Sequence, residues 1–554
     1  MGDGIHKVSP SKLILSLLQG ERNEILVVLL YGVGVSVLSL AVPVGIQTLV
    51  NTVTFGSFSQ PVLFLVLAVF AGLTIAAVLR GIQIVVVEQL QRRFFSQIAL
   101  ELSYRIPRFS LERVPKAQFP ELINRFFDVL TVQKSSATLL MEGFALALQI
   151  TFGLILLAFY HWFLLAFAFV LISSVGVVIF LLGRGAVSTS IDESVQKYRV
   201  AAWLEELAAR PLLFRSTASR ALALERANEI VTDYLDARAS HFTILMRQVV
   251  GSLTLQAVGS SALLGIGAYL VVQNQLTLGQ LVAAEIVVTS ALGSLAKFQK
   301  HLEAFYDLVA ALDKIEGLLG LPIETDRGEV PEVKPGPAEL EIKDLSYHFE
   351  SGTPVFEKLN FKARAGAKIA ILGSNSTGKT TLVDLLYGVK TPQSGTILLD
   401  GQDYRDLTPE VIRDQICLVR GIEFLPDTIF ENLRVGKTDI RIEKARQALE
   451  KVGLLEDILK FPEGIHTKLG NNSPLTLSQA HALIIARAIV SEPKVILVDE
   501  TFDELDEDAR SAALEVLIEP SAPWTLFLAT HNESLANRFS EILSLDSLKE
   551  RRLA

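Results

Sequence analysis

The sequence predicts a multidomain chain: an all-α polytopic membrane domain of six transmembrane helices, followed by an α/β domain built around a P-loop. Three observations carry this. Half of the 554 residues are hydrophobic and the mean hydropathy is +0.41, too apolar for a wholly soluble protein. The apolar residues concentrate before Lys297, in uncharged stretches long enough to cross a bilayer. Beyond them, Gly373-Ser374-Asn375-Ser376-Thr377-Gly378-Lys379-Thr380 stands between the strand-like run Lys368-Ile369-Ala370-Ile371-Leu372 and a helical pattern opening at Thr381.

The N-terminus, Met1 to Arg22, is polar and has no signal-peptide arrangement, and His6 breaks the myristoylation pattern that Gly2 would open. Targeting therefore falls to the membrane helices. The first uncharged stretch, Ile25 to Val50, exceeds the roughly 20 residues that cross about 30 Å of hydrocarbon. Pro61 to Leu79 is the second. No formal charge occurs from Gly143 to Gly183, about twice the length of one span, with Tyr160-His161-Trp162 near its middle. That pattern predicts a tight hairpin of spans 143–160 and 162–183 with its aromatics at the interface. Val249 to Val272 and Leu278 to Ala296 complete the six. Glu285 is the only formal charge between Val249 and Ala296, roughly 10 Å deep. It either meets cationic or polar cargo, or closes a structural hydrogen bond or stays protonated and inert.

Loop charge sets an orientation. The connections 51–60, 160–162 and 273–277 carry no Lys or Arg, whereas 80–134, 184–247 and the segment after Lys297 carry many. The basic connections and both termini are thus expected on the cytoplasmic side of the cell (inner) membrane, with the lipid bilayer itself as a partner. Helical spacing continues through Leu90-Gln91-Arg92-Arg93-Phe94-Phe95 and Trp203-Leu204-Glu205-Glu206-Leu207, so the helices are expected to run well past the spans. Pro breaks this pattern at Val114-Pro115-Lys116-Ala117 and in Arg210 to Arg215. Those breaks are either tips that touch another domain or ordinary turns.

The membrane domain is read as residues 1–320. A linker follows at 321–337, rich in Pro and charge, and the soluble domain occupies 338–554. The first 320 residues hold 24 Lys+Arg against 22 Asp+Glu, and the rest hold 27 against 38. The acidic soluble half argues against nucleic acid as a partner. The single cysteine, Cys417, rules out an intrachain disulfide and fits a reducing compartment, where it serves as a small core residue.

The chemistry is concentrated in this second half. Glycines let the P-loop backbone close on phosphate, its N–H groups and the following helix N-terminus favour negative charge, Lys379 reaches the terminal phosphates and Thr380 ligates Mg²⁺. Val495-Ile496-Leu497-Val498-Asp499-Glu500 is an apolar strand ending in two carboxylates, Asp499 for the metal and Glu500 for orienting water. Leu526-Phe527-Leu528-Ala529-Thr530-His531 is a second such strand, ending in a lone histidine. The alternating opening Leu340 to Phe349 reads as a strand, with Phe349 or Tyr347 available to stack on a base or to pack. Leu475-Thr476-Leu477-Ser478-Gln479 leads into a further helical run.

In this order the motifs resemble the nucleotide-binding domain of ABC transporters, and nearly the whole chain resembles a six-helix ABC exporter half-transporter. The resemblance implies that Gly373, Ser374, Asn375, Ser376, Thr377, Gly378, Lys379 and Thr380 form the Walker A loop, with Thr381 beside it in the nucleotide site. It makes Val495 to Asp499 the Walker B strand, Glu500 the catalytic glutamate, Asp503 to Asp506 the D-loop and His531 the switch histidine. Phe349 falls at the base-stacking position, and Asp506, Thr476, Ser478 and Gln479 join the ATP contacts. Pro115 to Ala117 and Leu213 to Arg215 fall where the family places coupling helices. The family's signature LSGGQ appears here as Leu475 to Gln479 without either glycine, so Leu477 brings a side chain where backbone approaches phosphate. The row Leu418-Val419-Arg420-Gly421-Ile422-Glu423 lacks the Q-loop Gln.

What the resemblance implies is ATP-driven export, with ATP and Mg²⁺ as cofactors and a second half-transporter as partner. A homodimer is the default and a heterodimer the alternative. The look is that of bacterial exporters of peptides, proteins or toxins, some of which work with an envelope adaptor protein. A lipid or drug exporter, or a regulatory half with weak hydrolysis, are the other readings. The residues before Ile25 are too few for the peptidase domain that some such exporters carry.

Overall fold

The computed structural model describes residues 21–54, 60–114, 119–324, 328, 334–349, 352, 354–470, 473–499, 502 and 507–546. The chain divides into two units, one of Met1–Phe109 with Pro115–Pro322 and one of Ser110–Val114 with Ile323–Ala554.

The first unit is helical. Among the described residues, five helical runs, Arg22–Val53, Val62–Arg108, Leu122–Tyr160, Trp162–Ala209 and Thr217–Val272, are long and apolar enough to cross a membrane. The sixth expected span lies in the helix Leu278–Leu319, where the apolar helical stretch Leu278–Thr289 is shorter. Helix length exceeds what crossing requires: Gln60–Arg105 has 46 residues and Thr217–Val272 has 56. At about 1.5 Å per residue these are roughly 70 and 85 Å long, more than twice a hydrocarbon core. Phe64, Phe70, Phe159, Phe169 and Phe180 are each more than two-thirds exposed, a surface that suits lipid and not water.

Local chemistry explains the breaks. The hairpin forms because His161 is extended (φ −163°) between Phe144–Tyr160 and Trp162–Gly176, and its Nδ1 accepts the Phe163 N–H at 3.2 Å. Thr277 and Gln280 close a reciprocal capping box that starts Leu278–Leu319. One expectation changes. The stretch Ile25 to Val50 is two helices, Arg22–Ser39 and Ala41–Thr54, parted at Leu40. Pro43 has no N–H for the Ser39 carbonyl and its ring crowds that carbonyl; bonding resumes with Val44 N–H to Leu40 O at 3.1 Å. The segment between Ala209 and Thr217 is a turn at Pro211, while Pro115 to Ala117 lie outside the described residues.

The second unit carries two sheets. An antiparallel one has the order β2-β1-β4-β5: β1 is Leu340–His348, β2 Pro354–Ala363, β4 Ser394–Leu399 and β5 Gln402–Asp403. A parallel one has the order β6-β7-β8-β3-β9: β3 is Lys368–Leu372, β6 Ile416–Val419, β7 Val495–Asp499, β8 Thr525–Thr530 and β9 Glu541–Ser544. Every residue of β7 and β8 is buried, which is why both read as continuous apolar runs and not as alternating ones. Cys417, on β6, packs against the helical core, and burial pushes its thiol up to about 11, so it stays unreactive. Arg413 donates two hydrogen bonds to Glu324, at 2.6 and 2.7 Å, and so holds the start of this unit to its body.

Candidate functional site

In a parallel sheet the carboxyl ends of the strands share one edge, and register decides which residues meet there. Leu372 pairs with Thr530, Asp499 with Ala529 and Val419 with Val498. The residues that follow β3, β8 and β6, together with Asp499 at the end of β7, therefore converge. They are the P-loop, His531, Arg420 and Asp499.

The P-loop has the geometry its glycines permit. A Cβ on Gly373 would lie 2.4 Å from Thr377 Oγ1, and Gly378, at φ +102°, would drive one to 2.6 Å from Val355. Ser376 holds the left-handed φ of +63° without being glycine. Thr377 donates to Ser374 O at 2.9 Å, and Asp546 accepts both the N–H (2.9 Å) and the hydroxyl (2.8 Å) of Ser374. Gly378 opens the helix Lys379–Leu386 with no side-chain cap, so the N-terminal donors of that helix are not consumed by one. Lys379 is buried, its ammonium folded onto the loop carbonyls of Gly373 (3.0 Å) and Ser374 (3.1 Å). Asn375 is exposed and Thr381 buried.

At the metal corner Thr380 donates to Asp499 Oδ1 at 3.4 Å, and Asp499 is buried. A hydroxyl and a carboxylate oxygen are the hard donors that suit Mg²⁺. Among the described residues no group of three or more His, Cys, Asp or Glu stands ready to hold a metal. Mg²⁺ needs none, because it keeps waters and phosphate oxygens as ligands. The donor set thus fits Mg²⁺.

Phe349 and Tyr347 separate. Tyr347 is buried in the core of the antiparallel sheet, whereas Phe349 is 41% exposed with the Lys390 ammonium 5.4 Å from its ring centre, which leaves Phe349 as the one able to stack. His531 follows β8 directly and is exposed. Glu500 and Asp506 lie outside the described residues.

The Leu475 to Gln479 segment belongs to a different core. It opens the helix Leu477–Val490, which packs in the helical cluster with Ile429, Leu449 and Phe502, whereas the P-loop helix packs with β1 and β3. The Thr476 hydroxyl accepts the Gln479 N–H at 3.3 Å, and Gln479 Oε1 accepts the Thr476 N–H at 3.0 Å. Gln479 Nε2 donates to Asp457 at 2.9 Å, and Lys460 and then Gln479 hold the Asp457 carboxyl below its usual range. Thr476 and Gln479 therefore serve first as a capping box, a role that the spacing T-x-x-Q could have announced. Leu477 is 58% exposed beside them.

Sequence reading missed Arg420, Asp384 and Asp546. Residues 418–423, where the resemblance expects a glutamine, supply an arginine at the metal corner. In the other unit, Glu285 accepts from Thr289 at 2.9 Å through Oε1, and its Oε2 is buried with no hydrogen-bond partner.

Residues 356–503 match the family model described as ABC transporter. The chain is 25% identical over 317 residues to the alpha-hemolysin translocation ATP-binding protein HlyB of Escherichia coli O157:H7, and that match covers 56% of this chain but only 44% of the relative. It is 25% identical over 471 residues to an ATP-dependent lipid A-core flippase of Desulfotalea psychrophila, covering 83% of this chain and 81% of that protein. Its fold matches the structure titled "Structure of a bacterial Atm1-family ABC exporter with ATP bound" with a TM-score of 0.82 at 19% identity, over 96% of each chain. Residues 356–503 thus carry an ABC transporter domain, and the whole chain has the fold of, and is similar in sequence to, half-transporters of the ABC exporter type.

Proposed function

We propose that the chain hydrolyses ATP to drive export of a substrate across the cytoplasmic membrane, as one half of a dimer with its ATP-binding unit and both termini in the cytoplasm. The observation that carries this is the convergence of Lys379, Thr380 and Asp499 at one sheet edge, in a chain whose described residues include five helical runs apolar enough to span a membrane. Lys379 exchanges its loop carbonyls for the terminal phosphates of ATP, and the uncapped helix N-terminus receives their charge. Thr380 and Asp499 hold Mg²⁺, which supplies charge neutralisation on the phosphates. Glu500 takes the proton of the attacking water, His531 contacts the terminal phosphate and Phe349 stacks on the base. Thr476, Ser478, Gln479 and Asp506 face the nucleotide of the opposite half when two copies pair. The experiment is Glu500→Gln: it keeps ATP binding and abolishes turnover, because an amide cannot accept the proton. Turnover at the wild-type rate would remove Glu500 from the role.

For cargo, peptide or protein export is supported by the toxin-translocating relatives, which align over 56% of the chain, and an envelope adaptor protein is a further partner that this reading allows. A lipid cargo has its own support. The flippase aligns over 83%, and a groove of about 580 Å³ lined by Leu182, Phe242, Met246 and Val250 carries one cation, Arg247, the pairing of apolar wall and positive charge that an anionic lipid requires.

A further inference from the structure

The register Val419↔Val498 sets Arg420 opposite Asp499, at the corner where Mg²⁺ is expected. Its Nη1 donates to Asp384 Oδ1 at 2.7 Å. Its Nε lies 2.8 Å from Asp499 Oδ2, close enough for an ion pair but not aligned for a hydrogen bond. Nε and Nη2 are buried without a hydrogen-bond partner, so beyond the Nε ion pair with Asp499 the Nη2 donors of the fork are unspent. Lys390 pairs with the second oxygen of Asp384 at 3.0 Å. Among the described residues, the carboxylates of Asp384 and Asp499 thus face the cations of Arg420 and Lys390. A neutral glutamine in place of Arg420 would remove one positive charge from beside Asp384 and Asp499 and make the corner a stronger attractor of a divalent cation.

We propose that Arg420 is a built-in cation of the nucleotide site, which compensates phosphate charge from the protein side and so makes ATP binding by this chain weakly dependent on Mg²⁺. The proposal rests on the ATP-binding reading above. Guanidinium is suited to the role: it is always charged, and its planar fork offers donors to a phosphate oxygen while the carboxylates keep it in place. It also lies against one of the two protein oxygens of the metal site, so it opposes the metal directly by like charge.

The test is nucleotide affinity, not turnover. A fluorescent ATP analogue is titrated onto the full chain in detergent micelles, in excess Mg²⁺ and in excess EDTA. The wild type is expected to lose less than about threefold in affinity on removal of Mg²⁺, and Arg420→Gln at least about tenfold, a gap of the order of 1 kcal/mol. Arg420→Lys, which keeps the charge, stays near the wild type. A tenfold loss in the wild type itself overturns the proposal, as does equal Mg²⁺ dependence in the wild type and Arg420→Gln. Should the glutamine variant fail to fold, the wild-type ratio and the lysine variant decide. Absence of binding in both conditions would instead sink the ATP-binding reading.

Discussion

The P-loop and the Leu475 to Gln479 segment are both loops that open a helix, and they treat its N-terminus in opposite ways. Gly378 caps Lys379–Leu386 with backbone alone, while Thr476 and Gln479 close a capping box on Leu477–Val490 and Leu477 projects beside it. An α-helix begins with four N–H groups lacking intrahelical partners, and either a side chain or a ligand satisfies them. The first segment leaves that choice to a phosphate. The second satisfies part of it internally, so its contact with a nucleotide requires rearranging a hydrogen bond that is already made.

The largest expected effect tests the first half of this contrast. Lys379→Ala removes the buried cation and should lower ATP affinity by about a hundredfold or more, since a charge-assisted contact to phosphate is lost in a dry site. Fluorescent-nucleotide titration measures it, and a loss below threefold would make the loop a structural turn.

Next, Thr476→Ala removes the cap and should destabilise the ATP-binding unit by about 1 kcal/mol, with Thr476→Ser restoring it. Thermal melting of the solubilised chain reads the difference. If melting is unchanged while turnover collapses, the hydroxyl serves the nucleotide and not the helix.

The smallest effect lies on the strand that feeds the P-loop. Lys368 is buried against Trp524, whose carbonyl accepts from Nζ at 2.6 Å, and burial lowers its pKa from 10.5 to about 8. The folded state therefore binds fewer protons than the unfolded state between those values. The cost of charging Lys368 is present in full below pH 8 and is relieved as pH rises toward 10.5. Relative to Lys368→Met, the wild type should gain melting temperature from pH 7 to pH 9.5. A constant difference between the two would show that burial does not shift this lysine.

What the sequence disclosed and what it hid follow from distance along the chain. The P-loop, β7 and β8 were legible because each is a local pattern, a glycine spacing or an apolar run ending in a polar residue. The hairpin at His161 was legible because an uncharged stretch of double length has one compact solution. The break at Leu40 was also written locally, in Pro43, but uniform hydropathy hid it. Arg420 was out of reach, because its partners Asp384 and Asp499 are brought to it by helix packing and by the register of β6 on β7. The same holds for Asp546 on Ser374 and Glu324 on Arg413, contacts that no spacing rule announces.

The most direct measurement is steady-state ATP turnover by the purified chain alone, reconstituted in lipid, beside Leu477→Gly. Two copies are expected to suffice: the wild type turns over ATP, Glu500→Gln does not, and Leu477→Gly is no slower than the wild type because the glycine restores close backbone approach. A chain that is inactive alone, and becomes active only when mixed with a second half-transporter from its host, would contradict this and make the dimer heteromeric.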